Sequence, residues 1–288
     1  MNQAKTLLFR DVPGIIGQYA RAVIPKRSTT DDLRFPSHEA LLTHVKVDHK
    51  KVAEYARLCG FHAPSTVLPI TYLHILAFPL HMELMLHKDF PLALMGLVHI
   101  RNHITQYRGI YASEELAIRC YCSAHRQTDK GLEFDITSEV TSGGELIWKS
   151  ISTNLSRQGS GRNTSRHQPS EQQDYPVHSS WRMKENLGRQ YARISGDSNP
   201  IHLYAPTAKL FGFKRHIAHG MWTKARAAAA LNPQLIAGPC SLEVEFKQPI
   251  FLPGNVSLHT ETPYGGAFYI ADSQGQKRHL KGYIQPLE

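Results

Sequence analysis

Two side chains suited to proton transfer, Asp197 and His202, stand five residues apart in the stretch Tyr191-Ala-Arg-Ile-Ser-Gly-Asp-Ser-Asn-Pro-Ile-His202. A carboxylate and an imidazole held close on a stiff loop can move protons to and from a bound molecule. A helix-capping Asp and a plain loop His would use the same letters, so the neighbouring residues must decide. Further on, Ile217-Ala-His-Gly-Met221 opens a long, Ala-rich segment that runs to Ala230. The first N–H groups of a helix have no intrahelical acceptor and can hold a developing negative charge. Gly220 also lets backbone approach a ligand closely. One segment therefore offers an acid–base pair and then a candidate oxyanion donor, the N–H of Gly220. Asn199, between the pair, is expected to hold the loop or a water.

The elements around these residues are readable. Leu187–Ile194 predicts a helix that ends at Ser195-Gly196, where Gly tolerates the positive φ of a helix C-terminus. Pro200 fixes φ and biases Asn199 away from the α region, which predicts a rigid turn and not more helix. Tyr204–Gly212 reads as a short helix with Pro206 in its first turn and Gly212 at its end.

The order Tyr-Ala-x-x-Ser-Gly-Asp-x-Asn-Pro-Ile-His, then Gly212-Phe213, then Ile-Ala-His-Gly-Met resembles the MaoC-like family of (R)-specific enoyl-thioester hydratases, also called hydratase 2. The match is strong over Leu187–Leu231 and extends in outline over the rest of the C-terminal half. The resemblance implies a hot-dog fold and the reversible hydration of trans-2-enoyl thioesters to (R)-3-hydroxyacyl thioesters, a lyase reaction of fatty-acid or related acyl metabolism. It implies no cofactor, and a coenzyme A or acyl carrier protein thioester as the substrate. His202 becomes the general base on water, Asp197 shares that water, and Gly220 holds the thioester oxygen. Substrate is expected against His219, Met221, Phe213 and Phe61. Two other readings are a thioesterase on the same fold and a non-catalytic acyl-carrier-binding subunit. The Asp-x-Asn-Pro-x-His loop favours the hydratase.

The first half repeats the second. Tyr55-Ala-Arg-Leu-Cys-Gly-Phe-His-Ala-Pro-Ser-Thr66 aligns with Tyr191–His202 at a constant offset of 136, the period of one small domain. Phe61 stands where Asp197 stands, and Thr66 where His202 stands, so the first copy lacks both proton-transfer groups. Leu73–Leu86 reads as the counterpart of the helix after His219. In that register Pro79, which has no N–H, falls against Gly220. Strand-like runs follow each long helix: Met95–Ile104, Ser113–Ala124, Glu133–Thr141 and Glu145–Asn154, then Cys240–Lys247, Asn255–Glu261, Ala267–Asp272 and Lys277–Ile284. The expected fold class is α+β: two hot-dog domains in tandem, each a long central helix wrapped by an antiparallel sheet, packed side by side with the substrate tunnel between them. Residues 1–156 form the degenerate domain, polar 157–174 a flexible linker, and 175–288 the catalytic domain. The first copy, with Phe61 and its long helix, is expected to wall the acyl pocket. The arrangement is a pseudo-dimer within one chain and leaves room for a homodimer.

Composition narrows the rest. The chain has 288 residues and a formal charge of +9. It shows no basic run with interleaved aromatics, so nucleic acid is not the expected partner. The positive charge suits a surface facing an acidic carrier or coenzyme phosphates. No stretch is long enough to span a membrane, and Arg10 and Asp11 interrupt the N-terminal apolar region, so a cytoplasmic location without membrane contact is expected. Cys59, Cys120, Cys122 and Cys240 show no paired spacing and read as reduced thiols. The 17 histidines include no H-E-x-x-H, and no metal is expected. His99, Arg101 and His103 would share one strand face. The Tyr111–Tyr121 and Trp148 aromatics read as strand core.

Overall fold

The computed structural model describes residues 5–22, 35–62, 66–157, 174–231, 233–262 and 264–287. Between its ends, Arg157 and Asp174, the expected linker lies outside the described residues.

Before that gap come β1 (Thr6–Phe9), α1 (Ile15–Ala22), β2 (Glu39–Lys46), α2 (His49–Cys59), α3 (Tyr72–Leu86), β3 (Val98–Gln106), β4 (Glu115–Thr128), β5 (Gly131–Ser142) and β6 (Glu145–Ser156). After it come β7 (Val177–Met183), α4 (Leu187–Ser195), a 3₁₀ turn at Pro200–His202, α5 (Ala205–Lys209), α6 (Gly220–Ala230), α7 (Pro233–Ala237), β8 (Cys240–Phe246), β9 (Gly254–Thr262), β10 (Gly265–Asp272) and β11 (Arg278–Pro286). The strands form one 11-stranded sheet in the order β1-β2-β4-β5-β6-β3-β8-β11-β10-β9-β7. All pairings are antiparallel except β1 with β2. The halves therefore join through β3 and β8, with Arg101 opposite Glu245 and Gln106 opposite Cys240. This is the double hot-dog arrangement: two helix-and-sheet units sharing a continuous sheet.

The repeat is visible in the caps. Helices α2 and α4 both end at a glycine in the left-handed region, Gly60 at φ 82° and Gly196 at φ 81°. The two helices pack together, with the rings of Tyr55 and Tyr191 6.2 Å apart. Helix α3 is apolar almost all round, as a central helix must be when covered on every side. One hydrophobic cluster runs through both halves, and each large side chain fully buried in it, such as Trp148 or Phe134, contributes roughly 1.5–3 kcal/mol. The four cysteines are free thiols, and three are buried. Trp148 is buried as expected, while Tyr111 is exposed.

Three expectations need correction. Pro79 does not face Gly220: α3 begins at Tyr72, so Pro79 lies seven residues inside it, and Tyr72 is the positional counterpart of Gly220. The Tyr72 N–H is already spent on the Pro69 carbonyl at 2.7 Å, so the first copy lacks the free donor for a different reason. His99 and Arg101 do not share a face, because the β3–β6 register shifts between them. Phe61 does not reach the cleft; it packs on the ring of Tyr55 at 6.4 Å.

Helix α6 is tied across the seam from within. Lys224, fully buried, donates to the Asn102 carbonyl (3.0 Å), the Asn102 Oδ1 (2.6 Å) and the Leu242 carbonyl (2.9 Å), so one ammonium joins β3 to β8. Trp222 Nε1 also donates to the Leu58 carbonyl of α2.

Candidate active site

Local chemistry shapes the loop after α4. Gly196 turns the chain out of the helix. The Asn199 Oδ1 accepts from the Ile201 N–H at 3.3 Å, capping the single 3₁₀ turn that Pro200 begins. Thr207 Oγ1 donates to the Pro200 carbonyl, and Arg189 Nη1 to the Leu203 carbonyl. The loop lies directly on α4: a Cβ on Gly188 would come within 1.9 Å of the His202 carbonyl oxygen. Gly188→Ala is therefore expected to displace His202 and lower kcat at least about tenfold, with a lowered unfolding temperature. Unchanged rate and stability would mean that the loop is not seated on this helix.

Asp197, His202 and His219 converge. A carboxylate oxygen of Asp197 and one ring nitrogen each of His202 and His219 lie within 4.8 Å of one another, a separation that one water can bridge. The two imidazoles stack with centroids 3.7 Å apart. His202 Nδ1 lies 2.8 Å from the Ile217 carbonyl. A carbonyl only accepts, so in neutral His202 the proton sits on Nδ1 and Nε2 keeps its lone pair. By the same logic His219 spends its Nε2–H on the Asp197 carbonyl at 2.9 Å. That bond ties the loop to the start of α6 and leaves the His219 Nδ1 lone pair buried without a partner among the described residues. Burial holds His202 below its ordinary pKa, opposed in part by the Asp197 carboxylate, and pushes His219 down to about 3. Burial alone would raise Asp197. The two imidazoles, the Tyr19 hydroxyl and the Asn199 N–H more than offset it and hold the carboxyl below its ordinary value.

These groups open onto a cavity of about 650 Å³ between the halves. Asp197, Asn199, His202, His219, Gly220, Met221 and Phe213 all border it, together with α3 and the start of β3 from the first half. Of the residues expected at the site, Phe61 is not part of this lining. Gly220 is required by contact: a Cβ there would meet the Phe246 ring at 2.9 Å.

Tyr19 is the residue that sequence reasoning missed. It comes from α1, far from the motif in sequence, and its hydroxyl donates to the Asp197 Oδ1 at 2.9 Å, beside the Asn199 N–H at 3.2 Å. Helix α1 is held there by Gln18, which donates to the Pro79 carbonyl and to Glu83, and by an Arg21–Glu83 ion pair. A hydrogen bond to a charged group contributes about 1.5–3 kcal/mol. Tyr19→Phe is expected to lower kcat about tenfold. In the wild type, His202 is neutral and Asp197 ionised down to pH values below the ordinary imidazole range, because both pKa values are depressed. The acid limb of kcat/KM should therefore fall below pH ~6.5. A wild-type kcat in Tyr19→Phe would mean that the hydroxyl's bond to Asp197 plays no part in the reaction.

Known proteins resemble this chain over most of its length. Residues 163–263 match the MaoC like domain. The chain is 32% identical over 249 residues to 3-hydroxyacyl-thioester dehydratase X of Mycobacterium tuberculosis, covering 86% of this chain and 88% of that protein. The crystal structure of HtdX from the same organism superposes with a TM-score of 0.76 at 30% identity, covering 86% of this chain and all of the other. Peroxisomal enoyl-CoA hydratase 2 of Arabidopsis thaliana is 28% identical over 211 residues, 65% of this chain and 67% of that protein. No helix among the described residues is long and apolar enough to cross a membrane. The chain belongs to the MaoC-like dehydratase family.

Proposed function

We propose that the protein hydrates trans-2-enoyl thioesters, reversibly, to (R)-3-hydroxyacyl thioesters, with coenzyme A or an acyl carrier protein as the thiol carrier. The observation that carries this reading is the meeting of Asp197, His202 and the start of α6 on one cavity whose far wall belongs to the first half. Water sits between the Asp197 carboxylate and His202 Nε2. As its oxygen bonds to C3, one O–H bond breaks and the proton passes to His202. The C2–C3 π electrons move toward the thioester oxygen, and the Gly220 N–H stabilises the charge that builds there. C2 then takes a proton from the same acid–base pair, so both groups add to one face. Tyr19 and Asn199 keep Asp197 ionised and aimed, and His219 fixes the loop without itself transferring a proton.

In this reading residues 1–156 are a half that has surrendered chemistry and 175–288 the half that retains it, joined by 157–174 as a tether. Phe61 and Thr66 replace the acid and the base. The first half's α3 supplies the wall for the acyl chain, with Phe78, Met82 and Met85 on the cavity. The test is absorbance loss when trans-2-enoyl-CoA esters are mixed with the protein. Loss of the enone band without free thiol supports hydration. Release of free thiol would place the activity with the thioesterases that share this fold.

A further inference from the structure

The wall proposed to face the acyl chain is not uniformly apolar. His74 and His81 stand seven residues apart on α3, two turns along one face, and Phe78 lies between them. His99 joins them from β3 because of the bulge. In register, His99 faces Asn154 and Asn102 faces Ser152, whereas Arg101 faces Thr153. Neighbouring residues of β6 alternate faces, so the extra residue turns His99 to the side of Ser152 and Asn154 and Arg101 to the opposite side, where it pairs with Glu133. Bulges commonly re-aim a side chain next to a site. His74, His81, His99, Ser152 and Asn154 all border the cavity.

The rings form a path away from the reacting end. Phe246, against Gly220, is 5.2 Å from His99; His99 stacks on His74 at 6.0 Å; His74 meets His81 edge-on at 5.6 Å. His81 is satisfied by the Ser138 hydroxyl at 2.6 Å. The buried Nδ1 of His74 and Nε2 of His99 have no partner among the described residues. Buried polar atoms are normally paired, and leaving them unpaired costs free energy. Burial depresses all three imidazoles, His81 to about 3 and His99 to about 4, so the group is polar and uncharged near neutral pH. Lys224 is close, but its three N–H bonds are already taken. The patch therefore suits a neutral oxygen and does not suit a carboxylate.

Building on the hydratase reading, we propose that the accepted acyl chain carries a hydroxyl or oxo oxygen beyond its reacting carbons, bound between His74 and His99. Titration calorimetry with saturated acyl-CoA pairs tests this. The members of each pair differ by a single hydroxyl or oxo group, moved stepwise along the chain. At one position the oxygenated ester should bind about tenfold or more tightly than its plain counterpart. His74→Leu and His99→Leu should reverse that order. Equal binding of the pairs at every position by the wild type would overturn the proposal, as would a preference that survives in both folded variants. The wild-type comparison decides alone if a variant fails to fold. Saturated esters are not turned over, so the outcome is separable from hydration: discrimination without turnover of any enoyl ester would sink the hydratase reading and leave the pocket assignment standing.

Discussion

Asp197→Asn and His202→Gln are each expected to lower kcat by about 10²–10⁴-fold while the unfolding temperature stays near that of the wild type. The amide in Asp197→Asn keeps the shape that the Tyr19 hydroxyl and the Asn199 N–H grip, but it carries no charge to orient water or balance a developing imidazolium. His202→Gln keeps a donor for the Ile217 carbonyl and removes the free Nε2 lone pair. Neither change opens a cavity in the core, so folding should survive both. The two groups act on the same water, so the double variant should lose little more than either single one. Steady-state rates beside thermal unfolding curves check this. A wild-type rate in either variant removes that residue from the mechanism.

The second large effect is structural. Lys224→Ala is expected to destabilise the fold by at least ~3 kcal/mol, a drop in unfolding temperature on the order of 10 °C. The change strands the Asn102 carbonyl, its Oδ1 and the Leu242 carbonyl, and empties the space of a fully buried side chain. Those acceptors lie on β3 and β8, the strands that join the halves. Lys224 is also one turn beyond Gly220, so loosening it should disturb the N–H proposed to hold the thioester oxygen. Lys224→Met refills the volume without the hydrogen bonds and should fall between wild type and Ala. A shift of only a degree or two for Lys224→Ala would show that the seam does not depend on this residue.

What the sequence allowed a reader to see follows from where local rules dominate. The 136-residue repeat was legible because Tyr55/Tyr191 and Gly60/Gly196 serve the same core and cap roles in both copies. The eight strands after the long helices announced themselves through apolar runs and turn signals. Strand β2 did not. Its buried residues fall at Ala40, Leu42 and Val45, an alternation broken where His44 takes φ 58° and the register shifts. Strand β7 is an edge strand, mostly exposed, so it has little apolar pattern to read. The His99 bulge inverted a face for the same reason: one extra residue defeats a period of two. Asp197, Asn199, His202 and Gly220 share one segment, so their common place on the cavity was legible. Tyr19 was hidden because only tertiary packing of α1 on α3 brings it to Asp197, and the two histidines within apolar α3 were the unread signal for the polar patch. Phe61 was misplaced because equivalence to Asp197 in the repeat does not carry the first copy's loop into the cleft.

The most direct test of the account is the product formed from a trans-2-enoyl-CoA in D₂O. One loop that delivers both hydroxyl and proton from one face should yield the (R)-3-hydroxyacyl thioester carrying a single deuterium at C2, added syn to the oxygen. An (S) product, a racemic one, or deuterium added to the opposite face would contradict it.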